Sequence, residues 1–104
     1  MGHNLNDMVV LTAYATLLPD KVEQALEACR TVRGHSVLEP GCERYDFFQS
    51  PDDETKIVFV EEWTTKAHLD THFQQDAFHV FFAAMGGCVQ APPQIRMFES
   101  SLYE

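Results

Sequence analysis

Glu61 and Trp63 stand two residues apart at the end of the run Ile57-Val-Phe-Val-Glu-Glu-Trp63, and His68 and His72 follow four residues apart. In an extended strand alternate side chains share a face, so Ile57, Phe59, Glu61 and Trp63 point one way and Val58, Val60 and Glu62 the other. Glu61 therefore keeps company with apolar and aromatic groups. An ionised carboxylate there must be paired, wetted by a cavity, or held neutral by a raised pKa. A carboxyl or imidazole that titrates near the working pH can act as a general base, which makes Glu61 and His72 the candidates for catalysis. His72 shares its helix face with Leu69 and Phe73 and should point at the sheet. A purely structural arrangement fits the same residues: Glu61 bonded at the open end of its strand, or His72 bonded to Glu61 within the core. The His68/His72 spacing suits two imidazoles on one metal, but no third ligand accompanies them, because His79 falls off the Phe78/Phe81/Phe82 stripe; no metal is expected.

Placing these side chains requires a sheet and helices. Met8 to Leu18 is rich in β-branched residues, carries Thr12, Tyr14 and Thr16 on one parity, and stops at Pro19, which predicts a first strand. Asp20 with Glu23 three residues on reads as a capping box. Val22, Ala25, Leu26, Cys29, Val32 and Arg33 follow with helical spacing, to an end loosened by Gly34 near an exposed His35. Glu39-Pro-Gly-Cys42 reads as a turn. The next strand, 43–50, sets Tyr45 and Phe47 against Arg44, Asp46 and Phe48. A hairpin loop over 50–55 leads into the apolar strand. Thr64 or Thr65 caps a helix over 67–74, and a second helix over 76–85 lines up Phe78, Phe81, Phe82 and Met85 before Gly86-Gly87 ends it. After Pro92-Pro93 a last strand spans Ile95 to Tyr103. The order β-α-β-β-α-α-β predicts a ferredoxin-like α+β domain over 8–104, behind a flexible end at 1–7. Helices cover one face of such a sheet, yet both faces here are apolar, so a homodimer packed sheet against sheet is expected.

Composition narrows the partners. The 104 residues suit one domain, and a 45% hydrophobic content excludes a disordered chain. No run approaches the ~20 apolar residues of a membrane span, so a soluble, cytoplasmic protein is expected. A formal charge of −9 opposes nucleic acid and anionic membranes. Cys29, Cys42 and Cys88 are odd in number and lack CxxC spacing, which disfavours a disulfide framework or zinc site; Cys29 lies on the apolar helix face as a small buried group. No glycine-rich phosphate loop is present, so no nucleotide cofactor is indicated, while motif alone leaves flavin open.

At Glu39-Pro-Gly-Cys-Glu-Arg-Tyr-Asp-Phe47, Val60-Glu-Glu-Trp63 and Ala67-His-Leu-Asp-Thr-His72 the chain resembles the antibiotic biosynthesis monooxygenase family of small dimeric α+β barrel proteins, in order over about Met8 to Glu99. The resemblance implies a ferredoxin-like fold and a dimer. It also implies activities: better-understood members oxidise aromatic polyketides and quinols with molecular oxygen and no cofactor, and others degrade haem or process small signalling molecules. By position the family's Glu-x-Trp pattern falls on Glu61 and Trp63, its helix histidine on His72 and its strand tyrosine on Tyr45. The axial histidine of the haem-degrading members falls on Phe82, which argues against haem degradation.

Oxygenation without a cofactor makes the substrate its own reductant, so a base must turn a phenol or hydroquinone into an electron-rich anion in a dry pocket. Glu61 or His72 would supply the base, and Trp63, Tyr45, Phe59, Phe78 and Phe82 the walls, with Tyr14 orienting a substrate oxygen. The expected function is cofactor-independent monooxygenation of a quinol-like or polyphenolic molecule with O2. Two other readings stay open: a non-catalytic dimeric module that binds a small molecule, with the aromatic stripe as core packing, and an isomerase or lyase using the same base.

Overall fold

The computed structural model describes residues 7–103. The flexible end expected at 1–7 lies outside them, apart from the backbone of Asp7. The elements are β1 (Asp7–Thr16), a 3-10 turn (Pro19–Lys21), α1 (Val22–Ser36), β2 (Cys42–Gln49), β3 (Lys56–Trp63), α2 (Lys66–Phe73), α3 (Asp76–Gly86) and β4 (Gln94–Ser101). The four strands form one antiparallel sheet in the order β2-β3-β1-β4. This is the ferredoxin-like α+β arrangement that the element order predicts.

Strand alternation divides the sheet. Val9 and Leu11 of β1, Tyr45 of β2, and Ile57, Phe59, Glu61 and Trp63 of β3 are buried on the helix side. All of these except Glu61 join Val22, Ala25, Leu26, Cys29 and Val32 of α1 in one core. Fully burying side chains the size of Trp63, Leu17 and Leu69 stabilises the fold by roughly 1.5–3 kcal/mol each before chain entropy is counted. On the opposite face Tyr14, Phe48 and Phe98 remain about half exposed.

The start of α1 differs from expectation. Pro19 opens a 3-10 turn that contains Asp20, so Asp20 never occupies the cap position, and α1 begins at Val22 after Lys21 with no side-chain cap. Arg33 leaves the buried stripe and reaches Asp46, Nη2 to Oδ1 3.1 Å. The helix runs through Gly34 to Ser36.

The Glu39–Cys42 turn does require its glycine. Gly41 has φ +81°, and a Cβ there would run into the His68 ring. Its carbonyl accepts the Thr64 N–H at 2.8 Å, which ties the start of β2 to the junction of β3 and α2. α2 is short and begins at Thr65, whose hydroxyl accepts the His68 N–H. Among the described residues no helix is long and apolar enough to cross a membrane.

Candidate active site

A cavity of about 360 Å³ lies between the helix side of the sheet and helices α2 and α3. β1 contributes Leu11, Ala13 and Ala15, β3 Phe59, α2 Phe73, and α3 Phe78, Phe81, Phe82 and Met85; the connector Ala91-Pro92-Pro93 and Ile95 complete the wall. The small β1 residues leave the room that the aromatic rings enclose. Phe59 meets Phe81 edge-on at 5.5 Å, and Phe73 meets Phe78 at 5.1 Å, contacts that hold the wall in a defined shape.

Glu61 and Tyr45 are the residues with polar side chains among those that line this cavity. They are register partners across β2 and β3, so one pair of adjacent strands presents both. Glu61 is 4% exposed, and its Oε1 accepts the Trp63 indole N–H at 3.0 Å. Burial drives the Glu61 pKa from 4.5 up to about 7; the indole hydrogen bond opposes the rise and the Glu39 charge adds to it. Burial, with the nearby Glu61 charge, also pushes the Tyr45 phenol up, so it stays protonated as a donor.

His72 is fully buried, and its partner is Glu39. Nδ1 lies 3.0 and 3.2 Å from the two Glu39 oxygens, and Nε2 has no hydrogen-bond partner. Burial lowers the His72 pKa, against the raising effect of Glu39. The expected contact between His72 and Glu61 is not formed, because the Trp63 indole takes the Glu61 oxygen and lays its ring against His72, centroids 4.8 Å apart. The acid and the imidazole thus do not converge in one hollow: Glu61 lines the cavity, and His72 and Trp63 stand behind its wall.

The other candidates divide as follows. Tyr45, Phe59, Phe78 and Phe82 line the cavity, with Phe82 more than half exposed. Tyr14 does not, because its parity turns it to the other face of the sheet, where it borders a separate hollow with Thr16 and Lys56. His68 bonds through Nδ1 to the Thr64 and Thr65 hydroxyls at 3.0 and 2.7 Å. Among the described residues no three His, Cys, Asp or Glu side chains are grouped so that they could hold a metal ion. Burial pushes the Cys29 and Cys42 thiols up to about 12 and about 11, far from a reactive thiolate. Sequence reasoning passed over Glu39, whose distance of 33 residues from His72 follows no local spacing rule, and also Phe73 and Phe81, which helical periodicity already set beside Leu69 and Phe78.

An antiparallel four-stranded sheet with an apolar, carboxyl-bearing cavity beneath its helices places the chain in the ferredoxin-like α+β class. Residues 8–84 match the family model of the antibiotic biosynthesis monooxygenases, and the chain belongs to that family. An uncharacterised protein of Synechocystis sp. is 30% identical over 94 residues, 90% of this chain and 64% of that protein. The chain thus spans less than two thirds of that relative's length. The Bacillus subtilis protein named "Putative monooxygenase YcnE" is 32% identical over 85 residues, 82% of this chain and 90% of its own. Among solved structures, the "Putative antibiotic biosynthesis monooxygenase from Nitrosomonas europaea" matches with a TM-score of 0.88 at 26% identity, covering 96% of this chain and 95% of that one.

Proposed function

We propose that the protein is a cofactor-independent monooxygenase of a polyphenolic or quinol-like aromatic, with Glu61 as the base. The observation that carries this reading is a single carboxyl, poised to titrate at about 7, on a largely apolar cavity of about 360 Å³. Near neutral pH such a group divides between its two forms, so it can take a proton in one step and return it in the next. The Tyr45 ring, on the adjacent strand, forms part of the wall, with its phenol beside the Ser36 hydroxyl of α1. Trp63 and His72 act from behind the wall.

For a polyphenol whose anthrone-type tautomer carries a methylene, the steps balance without an external reductant. Glu61 accepts a proton, and the resulting anion passes one electron to O2. Substrate radical and superoxide combine as a carbon-bound peroxide, to which Glu61 returns its proton. Loss of the remaining C–H proton with cleavage of the O–O bond leaves a carbonyl and water, so that the ring methylene and one O2 become one ring carbonyl and one water. The apolar walls exclude competing water from the anion.

The working unit in this proposal is a homodimer. Tyr14, Phe48 and Phe98, at 50%, 48% and 51% exposure, form an apolar outer sheet face that a second copy would cover.

The test is oxygen uptake with a panel of hydroquinones and hydroxyanthrones, with 18O2 to trace the oxygen. One labelled atom in the product and uptake that needs no added metal, flavin or reductant are expected. Conversion that continues without oxygen would instead favour the isomerase or lyase reading.

A further inference from the structure

Behind the cavity wall a line of contacts joins Glu61 to solvent. The Trp63 N–H meets Glu61 Oε1 at 3.0 Å, the Trp63 ring packs on His72 at 4.8 Å, and His72 Nδ1 meets Glu39 Oε2 at 3.0 Å. Glu39 Oε2 lies 3.6 Å from Nε2 of His35, which is exposed. The proposed reaction moves its proton through Glu61 and gives the Glu39–His72 pair no chemical step of its own. A buried carboxylate–imidazole hydrogen bond fixes geometry, because each partner's hydrogen bond dictates the other's orientation. A carboxylate acceptor puts a proton on Nδ1, so neutral His72 leaves Nε2 bare among the rings of Tyr45, Trp63, Phe73 and Phe78.

We propose that Glu39 and His72 are positioning residues for the base: anchored by Glu39, the His72 ring backs the Trp63 indole and so presents its N–H to Glu61 in one orientation. This rests on Glu61 being the base, and it adds two opposed influences on that base. The indole hydrogen bond favours the Glu61 carboxylate, and the Glu39 charge disfavours it. The other titratable groups facing Glu61 are Tyr45 and Cys42 of β2, and His35 of α1 acts only from the far side of Glu39.

Trp63 is the only tryptophan in the chain, so its indole N–H gives one unambiguous NMR signal that reports on Glu61 whether or not any substrate is turned over. Followed from about pH 5 to about pH 9, the signal should titrate in the wild type and stay flat in Glu61→Gln. Glu39→Gln keeps an acceptor for His72 but removes the charge, so the midpoint should fall. His72→Asn keeps an N–H for Glu39 but removes the ring behind the indole, so the midpoint should rise. Opposite displacements separate positioning from general loosening, which would move both variants the same way. Should Glu39→Gln fail to fold, the upward displacement in His72→Asn still decides. A wild-type signal that does not titrate, or midpoints unmoved or moved together, would overturn the proposal. Failure of the oxygen-uptake assay would remove the reaction and leave this result standing.

Discussion

An ionised Glu61 has exchanged most of its water for a largely apolar cavity wall, and one indole N–H does not compensate. Its folded-state pKa therefore rises from 4.5 to about 7. Between those values the folded chain holds a proton that the unfolded chain has released. Stability from this group thus falls as pH rises through that window and is level above it, by ~3 kcal/mol in all. Glu61→Gln retains an acceptor for Trp63 and carries no charge. It should melt above the wild type at pH near 8, with the difference closing toward pH 4.5, as thermal scans across pH would show. The placement of Glu61 among apolar groups was legible because a period of two admits one answer. The Glu39 partner of His72 was not, because a contact across 33 residues is made by the turn and helix together and by neither alone.

Among the elements, the Glu39–Cys42 turn has the most to position. It carries Glu39 to His72 and, through the Gly41 carbonyl, pins the start of α2. Gly41→Ala must hold a positive φ, which costs about 1–2 kcal/mol for a residue with a Cβ, and must also displace the His68 ring. Chemical denaturation should show a loss of about 2 kcal/mol or more, together with altered Trp63 fluorescence, because α2 carries His72 against the indole. Pro40-Gly41 announced this turn in sequence through its backbone preferences. The capping box at Asp20 was announced as clearly and did not form, because Pro19 started a 3-10 turn one residue earlier and drew Asp20 into it. Local cap chemistry competes with its neighbours, and a pattern alone does not say which wins.

At the scale of the whole molecule, the helices cover the cavity side and leave the other face to Tyr14, Phe48 and Phe98. Sequence parity separated the two faces but did not say which one the helices would take, and that choice is what removes Tyr14 from the cavity. In the proposed dimer this outer face is the interface. Sedimentation equilibrium should give twice the chain mass, and Phe48→Glu, which sets a charge on the β2 side of the covered face, should shift the protein to monomer while leaving each fold intact by circular dichroism. A wild-type monomer at micromolar concentration would exclude the dimer and leave the cavity as described.

The cavity and its carboxyl meet most directly in the pH dependence of oxygen uptake with a hydroquinone the wild type accepts, measured beside Glu61→Gln. For the wild type, kcat/KM should climb as pH rises through about 7 and then level, since only the ionised form takes the proton. Glu61→Gln should lose roughly 100-fold or more, together with that limb of the profile. Equal rates and the same profile in both proteins would contradict Glu61 as the base.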